Sequence, residues 1–209
     1  MKSNDKPTAN YTIIKWFGIF FLTTVLLQFS PDSIHDILTY HQNTFQNTFQ
    51  NNFKLLWMWF TAHLIHLNWE HWALNILAFS VTLLLFKEVW TLSFVSWIYV
   101  ISAWTVTLGL IFFEPNVTYY MGFSGVLHAY LIAGALTYIH VDKRIAYFMT
   151  ILITLKVWYE FFTQKSVWVS ALTDMPVVLN AHAYGWVGGI LVFLFVWVTD
   201  RKSNHPHKL

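Results

Sequence analysis

The sequence has no cysteine and few charged residues. Its 209 residues include no Cys, only 8 Gly and 5 Pro, and charged residues make up 11% of the chain. The missing thiols exclude disulfides and thiolate chemistry. A soluble globular domain has roughly a quarter of its residues charged, so this composition argues against one. The formal net charge of +2, with the basic residues in short clusters, indicates no nucleic-acid partner.

Apolar and aromatic residues dominate instead. The chain is 56% apolar and 20% aromatic, with 12 Trp, 19 Phe and 10 Tyr. A soluble fold of this size would leave many of these side chains exposed in large apolar patches, whereas lipid accommodates them. The composition therefore predicts an integral membrane protein in contact with the lipid bilayer.

Six apolar stretches are long enough to be considered as membrane spans. A spanning helix needs about 20 apolar residues, and backbone exposed to lipid must satisfy its own hydrogen bonds, which favours helices. We therefore predict an all-α membrane protein with six transmembrane helices. The predicted spans are Ile13 to Phe29, Trp72 to Phe86, Leu92 to Phe113, Ser124 to Ile139, Ile145 to Phe162 and Val177 to Thr199.

The distribution of Lys and Arg predicts the orientation of these spans. With the N-terminus in the cytoplasm, nine basic residues fall on that side and only Lys54 and Lys165 on the other. The predicted organisation is a cytoplasmic tail of residues 1–12, a membrane domain of residues 13–199 and a basic cytoplasmic tail of residues 200–209. The first span lacks a small-residue cleavage site, so we interpret it as a retained anchor. The second, fourth and sixth spans then begin near the outer surface.

The long connection of residues 30–70 is the least regular part of the pattern. Phe45, Phe49 and Phe53 recur every four residues, which places them near one face of a helix. With the aromatic residues that follow, the segment is predicted to lie in the membrane interface. A disordered Asn/Gln-rich linker over residues 41–52 is the alternative.

Ser124 stands in the motif Met121-Gly-Phe-Ser-Gly-Val126, at the predicted outer start of the fourth span. Small residues at such a position often serve only helix packing. The motif also differs from the nucleophile elbow of soluble hydrolases, because Val126 stands where that elbow needs glycine. Ser124 is thus a candidate nucleophile that needs a base supplied from elsewhere in the fold.

His182 is the candidate base. It lies near the outer start of the sixth span and is followed by Gly185 and Gly189, one helical turn apart. Glycines at this spacing allow close approach of a neighbouring backbone. If that neighbour is the fourth span, His182 comes within reach of Ser124. An imidazole with a reference pKa of about 6.5 can then take the hydroxyl proton and return it to the leaving amine. A structural role for His182 is the alternative.

His71 and Asn75 are four residues apart at the start of the second span, so both project from one helix face. Two donors aimed at one point are what an oxyanion hole requires. The alternative is a metal site, because His63, His66 and Glu70 lie close by in the sequence. The order of these residues is not that of the His-Glu-x-x-His zinc motif.

Lys156 and Glu160 lie inside the fifth span with opposite charges at i, i+4 spacing. Mutual pairing lowers the free energy of holding both in a membrane. We predict an ion pair with no catalytic role.

The ordered set of motifs resembles the rhomboid intramembrane proteases. It comprises His66 with His71-x-x-x-Asn75, then Gly122-x-Ser124-Gly125, then Ala181-His182-x-x-Gly185-x-x-x-Gly189, at the starts of the second, fourth and sixth spans. The resemblance covers residues 13–199 and implies a six-transmembrane-helix rhomboid-like bundle. It implies that Ser124 is the nucleophile, His182 its base, and His71, Asn75 and the Ser124 N–H the oxyanion hole, with Gly122, Gly125, His66, Gly185 and Gly189 in support.

By the same resemblance, the substrates would be single-span transmembrane proteins cut near or within their anchor, and no metal or cofactor would be needed. An inactive rhomboid-like protein that binds membrane clients is the alternative. Many members carry Tyr four residues after the nucleophile, whereas this chain has His128. His128 and the compact size are similar to the rhombosortase branch, whose bacterial members process exported proteins with a C-terminal Gly-Gly, an apolar helix and a basic tail. That branch implies a multi-pass location in the bacterial inner membrane. His128 also lies one turn from Ser124 and is a competing candidate base.

Overall fold

The computed structural model describes residues 6–42, 56–166 and 177–203 of the chain, with the side chains of 6–10 and 200–203 left aside. Within these residues the structure is almost entirely helical, and the only strands are two residues long each. We number the elements α1 (Lys6–Gln28), α2 (Asp32–Leu38), β1 (Tyr40–His41), α3 (Met58–Thr61), α4 (Trp69–Leu85), α5 (Leu92–Phe113), β2 (Tyr119–Tyr120), α6 (Ser124–Thr137), a 3-10 turn (Tyr138–His140), α7 (Lys143–Thr163) and α8 (Asn180–Ser203).

Four of the described helices are long and apolar enough to cross a membrane. They contain the segments Tyr11–Gln28, Leu92–Phe113, Lys143–Thr163 and Asn180–Thr199. The remaining two predicted spans correspond to α4, with 17 residues, and α6, with 14. The chain is thus a multi-pass integral membrane protein, and its described part has four helices of spanning length, with α4 and α6 shorter.

Short polar residues define where several helices begin. The Asn68 side chain accepts a hydrogen bond from the His71 N–H and caps α4, and the Thr91 side chain does the same for α5. The Asp142 carboxylate accepts from two N–H groups in the first turn of α7. Such caps satisfy N–H groups that have no acceptor within the helix. The cap at Asn68 matters most for the site, because it starts the helix that carries His71.

The centre of the bundle is α6, which is buried along nearly its whole length. Its most extensive contacts are with α8. A Cβ on Gly185 would lie 1.8 Å from the Gly125 carbonyl oxygen, and one on Gly189 would lie 2.5 Å from that of Ala129. The missing side chains therefore let the two backbones meet, and they do so beside Ser124 and His182.

A small sheet joins the connection between α1 and α4 to the segment before α6. The strands β1 and β2 pair antiparallel, with Tyr40 opposite Tyr120. This pairing brings the connection to the segment that leads into α6. The predicted amphipathic repeat of Phe45, Phe49 and Phe53 lies outside the described residues.

Candidate active site

The site is a cavity of about 910 Å³ between α4 and α7, with α6 and the start of α8 behind it. The polar part of its lining consists of His71, Asn75, Ser124, His128, Lys156 and His182, joined by Tyr159 and Ser166. Leu, Ile, Val and Ala side chains supply the rest. The three elements predicted to contribute chemistry therefore converge on one space.

Ser124 is the first residue of α6, and the turn before it is tightly held. Gly122 has φ +131°, a backbone conformation that side chains rarely adopt, and its N–H donates to the Ala62 carbonyl at 2.9 Å. A Cβ on Gly122 would also lie 2.8 Å from Cε1 of His71. The Phe123 ring packs against Phe20 at a centroid distance of 4.8 Å. The nucleophile candidate therefore stands on a rigid turn in contact with the oxyanion-hole candidate.

The His182 ring is held by a carboxylate. Its Nδ1 lies 2.8 Å from Oε2 of Glu160, and both side chains are buried. Because an ionised carboxylate only accepts hydrogen bonds, Nδ1 carries the proton and Nε2 has the lone pair. Within the described part of the chain, Nε2 makes no hydrogen bond. His182 thus has the tautomer and the free nitrogen of a general base.

Ser124 and His182 line the same cavity, but the hydrogen bond between them is not formed in this structure. The Ser124 side chain instead interacts with Tyr120, whose hydroxyl also donates to the Gly122 carbonyl at 3.1 Å. Burial raises the pKa of Tyr120, so this hydroxyl stays protonated. Catalytic hydrogen bonds are often long or unmade without substrate, and the seryl hydroxyl can turn about χ1.

His128 stacks on His182, with ring centroids 4.1 Å apart and an angle of 18° between the planes. Its Nδ1 donates to the Ser124 carbonyl at 2.7 Å, and its Nε2 lies 2.5 Å from the Lys156 ammonium. Since the ammonium can only donate, Nε2 is the acceptor in that contact. Both ring nitrogens of His128 are engaged, whereas in His182 only Nδ1 is.

The predicted ion pair between Lys156 and Glu160 is present, with Nζ and Oε2 2.7 Å apart. The same oxygen also accepts from His182, a contact that the i, i+4 spacing does not predict. The ligand atoms of His128, Glu160 and His182 lie within 4.8 Å of one another, a spacing that could hold a metal ion. However, the Lys156 ammonium already contacts two of these three groups, so a metal ion would have to displace a resident cation.

His71 and Asn75 are both buried in the first turns of α4 and face the cavity. The Asn75 side-chain amide donates to the carbonyl of His71 at 2.9 Å, which leaves one amide hydrogen for another acceptor. Beside them, the N–H groups in the first turn of α6 lack acceptors within the helix. These groups lie where an oxyanion next to Ser124 would need donors.

His66 stands behind this arrangement. Its Nε2 accepts a long hydrogen bond of 3.4 Å from the Phe123 N–H, and its ring meets the His71 ring edge-on at 5.3 Å. Burial is the main cause that holds the pKa of His66 well below its usual value, so the ring is neutral. His63 and Glu70, the other ligands of the hypothetical metal site, do not converge with it in the described residues.

Three residues of the site were missed from the sequence. Glu160 pairs with His182, Asn68 caps the helix of His71, and Tyr120 lies against Ser124. An ionisable residue inside an apolar helix was the available signal for Glu160, and an N-cap residue before an apolar run was the signal for Asn68. Tyr120 had no comparable signal, because its place depends on the sheet.

The comparison with protein families agrees with the order of motifs. The model of the Rhomboid domain matches residues 54–199, which include the residues that line the cavity together with Glu160, Tyr120 and His66. No curated protein and no solved structure matches the chain. The rhomboid family comprises intramembrane serine proteases together with inactive members. The match extends over well more than half of the sequence, and the chain therefore belongs to the rhomboid family.

Proposed function

We propose that the protein is an intramembrane serine endopeptidase with Ser124 as nucleophile and His182 as general base. The observation that carries the proposal is that both side chains line one cavity, beside the donors His71 and Asn75. His182 is preferred to His128 because its Nε2 is free, whereas both nitrogens of His128 are engaged. The activity requires no metal or cofactor.

The reaction would proceed through an acyl-enzyme. Ser124 Oγ attacks the scissile carbonyl carbon while its proton moves to Nε2 of His182. The resulting oxyanion accepts hydrogen bonds from His71, Asn75 and the Ser124 N–H. The intermediate then expels the amine, which takes the proton from His182. Water, activated by the same imidazole, attacks the ester and releases the second product and Ser124.

The cavity suits a substrate that arrives from the membrane. Apolar side chains of α4 and α7, including Leu74, Leu152 and Leu155, flank the polar centre. We propose single-span transmembrane proteins as substrates, cut near or within their anchor. A helical carbonyl is already hydrogen-bonded, so the anchor must unwind locally before attack. Helix-breaking glycines would favour this step, as in exported proteins with a C-terminal Gly-Gly, an apolar helix and a basic tail. We propose the rhombosortase branch because His128 stands four residues after Ser124 and the chain is compact.

In the proposed membrane arrangement, six helices cross a bacterial inner membrane, α4 and α6 included. Both termini lie on the cytoplasmic side. The 14 residues of α6 span about 21 Å, against a hydrocarbon thickness of roughly 30 Å. Because α6 is enclosed by other helices, it need not reach both surfaces. Its first residue, Ser124, would then lie below the outer surface, in a cavity that admits water.

A reconstituted cleavage assay tests the proposal. A Gly-Gly-anchored protein and a fluorogenic peptide serve as substrates for the purified protein in proteoliposomes, and fluorophosphonate labelling reports the nucleophile. Wild type should cleave and be labelled, Ser124→Ala should abolish both, and His182→Ala should reduce both to a small residual level. Ser80→Ala is the matched control, because the Ser80 hydroxyl only bonds its own helix backbone, away from the cavity.

Two other outcomes are informative. Unchanged cleavage by Ser124→Ala would refute the assignment of the nucleophile. A wild-type protein that retains the anchored substrate in pull-downs, without cutting it or reacting with the fluorophosphonate, would establish the inactive client-binding alternative.

A further inference from the structure

We propose that Glu160 is a positioning residue for His182, so that the site works as a Ser124–His182–Glu160 triad rather than as a two-residue dyad. The inference rests on the proposed function, since it concerns how the same base is held. It assigns Glu160 a role beyond the ion pair expected from its i, i+4 spacing with Lys156.

Glu160 and His182 are in direct contact. The Nδ1 to Oε2 distance of 2.8 Å joins two side chains of which only 2% and 1% are exposed. This contact fixes the proton on Nδ1 and leaves Nε2 as the acceptor that Ser124 requires. Without it, a neutral imidazole could place its proton on either nitrogen and could rotate about χ2. The carboxylate therefore selects both the tautomer and the orientation of the base.

The burial of Glu160 also points to this role. A carboxylate inside a membrane helix is expensive unless several partners satisfy it. A simple surface ion pair would let Glu160 turn outward, yet it lies beneath His182, and Oε2 accepts from both Lys156 and His182. The side chain is thus held where it contacts the base, at a position that a pair with Lys156 alone does not require.

Lys156 and His128 connect the Glu160 carboxylate to the backbone of the nucleophile. The Lys156 ammonium bonds both Glu160 and Nε2 of His128, whose Nδ1 donates to the Ser124 carbonyl. The His128 ring also supports the face of His182. These contacts form a continuous chain from the backbone of Ser124 to the imidazole of His182. The chain fixes the position of the nucleophile relative to the base.

Charge balance is consistent with the same role. In the resting state the positive Lys156 and the negative Glu160 sum to zero beside a neutral His182. When the Ser124 proton reaches His182, the new imidazolium faces Glu160 and the new oxyanion faces His71. The net charge of the site stays at zero, and Glu160 stabilises the cation that forms during the reaction.

The test compares variants at Glu160. It follows after cleavage by the wild type and loss of cleavage in Ser124→Ala have been established. Glu160→Gln keeps the shape and one acceptor oxygen but removes the charge. We expect kcat to fall by about 10² to 10³, with KM changed less than about threefold, since losses of this size follow removal of a group that acts in the transition state. Glu160→Asp should recover part of the lost kcat. Glu88→Gln is the matched control and should behave as wild type, because Glu88 is an exposed partner of Lys87.

A double-mutant cycle separates positioning from structure. In a His182→Ala background, Glu160→Gln should leave the residual rate unchanged, because a positioning residue acts only through its base. If Glu160 had a purely structural role, Glu160→Gln would lower the rate by the same factor in the wild-type and His182→Ala backgrounds. If Glu160→Gln does not fold because Lys156 is left unpaired, the double variant Glu160→Gln/Lys156→Gln removes both charges and should fold with the same low kcat.

Two results would overturn the inference while leaving the protease proposal intact. One is a folded Glu160→Gln or double variant with kcat within twofold of wild type. The other is an equal additional loss in the His182→Ala background. Absence of cleavage and labelling in the wild type would instead refute the proposed function itself.

Discussion

Gly185→Ala is the sharpest test of the close approach between α6 and α8. The added Cβ would lie 1.8 Å from the Gly125 carbonyl oxygen, whereas real contacts are rarely below 3.0 Å, so the helices must separate by about 1.2 Å. The obstacle is backbone rather than a flexible side chain, so it cannot move aside locally. Overpacking of this kind typically costs about 1–3 kcal/mol, which corresponds to a drop of about 3–10 °C in Tm for a chain of this size.

The same shift would separate His182 from Ser124, because each lies within three residues of the point of contact. A displacement of about 1 Å can lower the rate by roughly 10². We therefore expect Gly185→Ala to lose about 10²-fold in kcat/KM and to react slowly with a fluorophosphonate, measured at a temperature where it remains folded. Gly18→Ala is the control, because nothing lies within 4 Å of the Cβ it would add. Wild-type Tm and cleavage in Gly185→Ala would show that the described helix contact is wrong.

Three further predictions concern the elements around the site. Gly122→Ala should lower cleavage by at least about 10²-fold, because alanine is strained at φ +131° and its Cβ would press on His71; wild-type cleavage would contradict the described turn. Asn68→Ala and Thr91→Ala should each lose about 1 kcal/mol of stability in thermal unfolding, since each removes an N-cap. Only Asn68→Ala should also lower kcat. Equal kcat values in the two variants would refute a role for the cap in positioning His71. Burial lowers the pKa of His63 to about 4, so the folded state takes up this proton less readily than the unfolded state, and stability should fall by up to about 3 kcal/mol as the pH drops from 6.5 to 4. Tm measured across that range should depend less on pH in His63→Phe, and an identical pH dependence would refute this assignment.

Local patterns predicted the helices well where hydropathy alone decides them. The structure gives α5 the bounds Leu92–Phe113 that the sequence predicted, whereas α4 begins at Trp69, three residues before the predicted start at Trp72. The predicted fourth span, Ser124 to Ile139, matches α6 and the 3-10 turn Tyr138–His140 that follows it, but the α-helix itself is shorter than a full membrane span. Apolar composition reports that a segment is buried, but a helix enclosed by other helices satisfies that condition without reaching both membrane surfaces.

What the sequence by itself determined is the membrane class, the order of the helices and the residue types brought to the site. The glycines after His182 also indicated that another backbone would come close, because spacing along a helix is a local property. The tertiary structure alone decided that Glu160 contacts His182, that both nitrogens of His128 are engaged and that Tyr120 lies against Ser124. These contacts join different elements and depend on how each helix is rotated about its axis, which hydropathy and spacing do not specify.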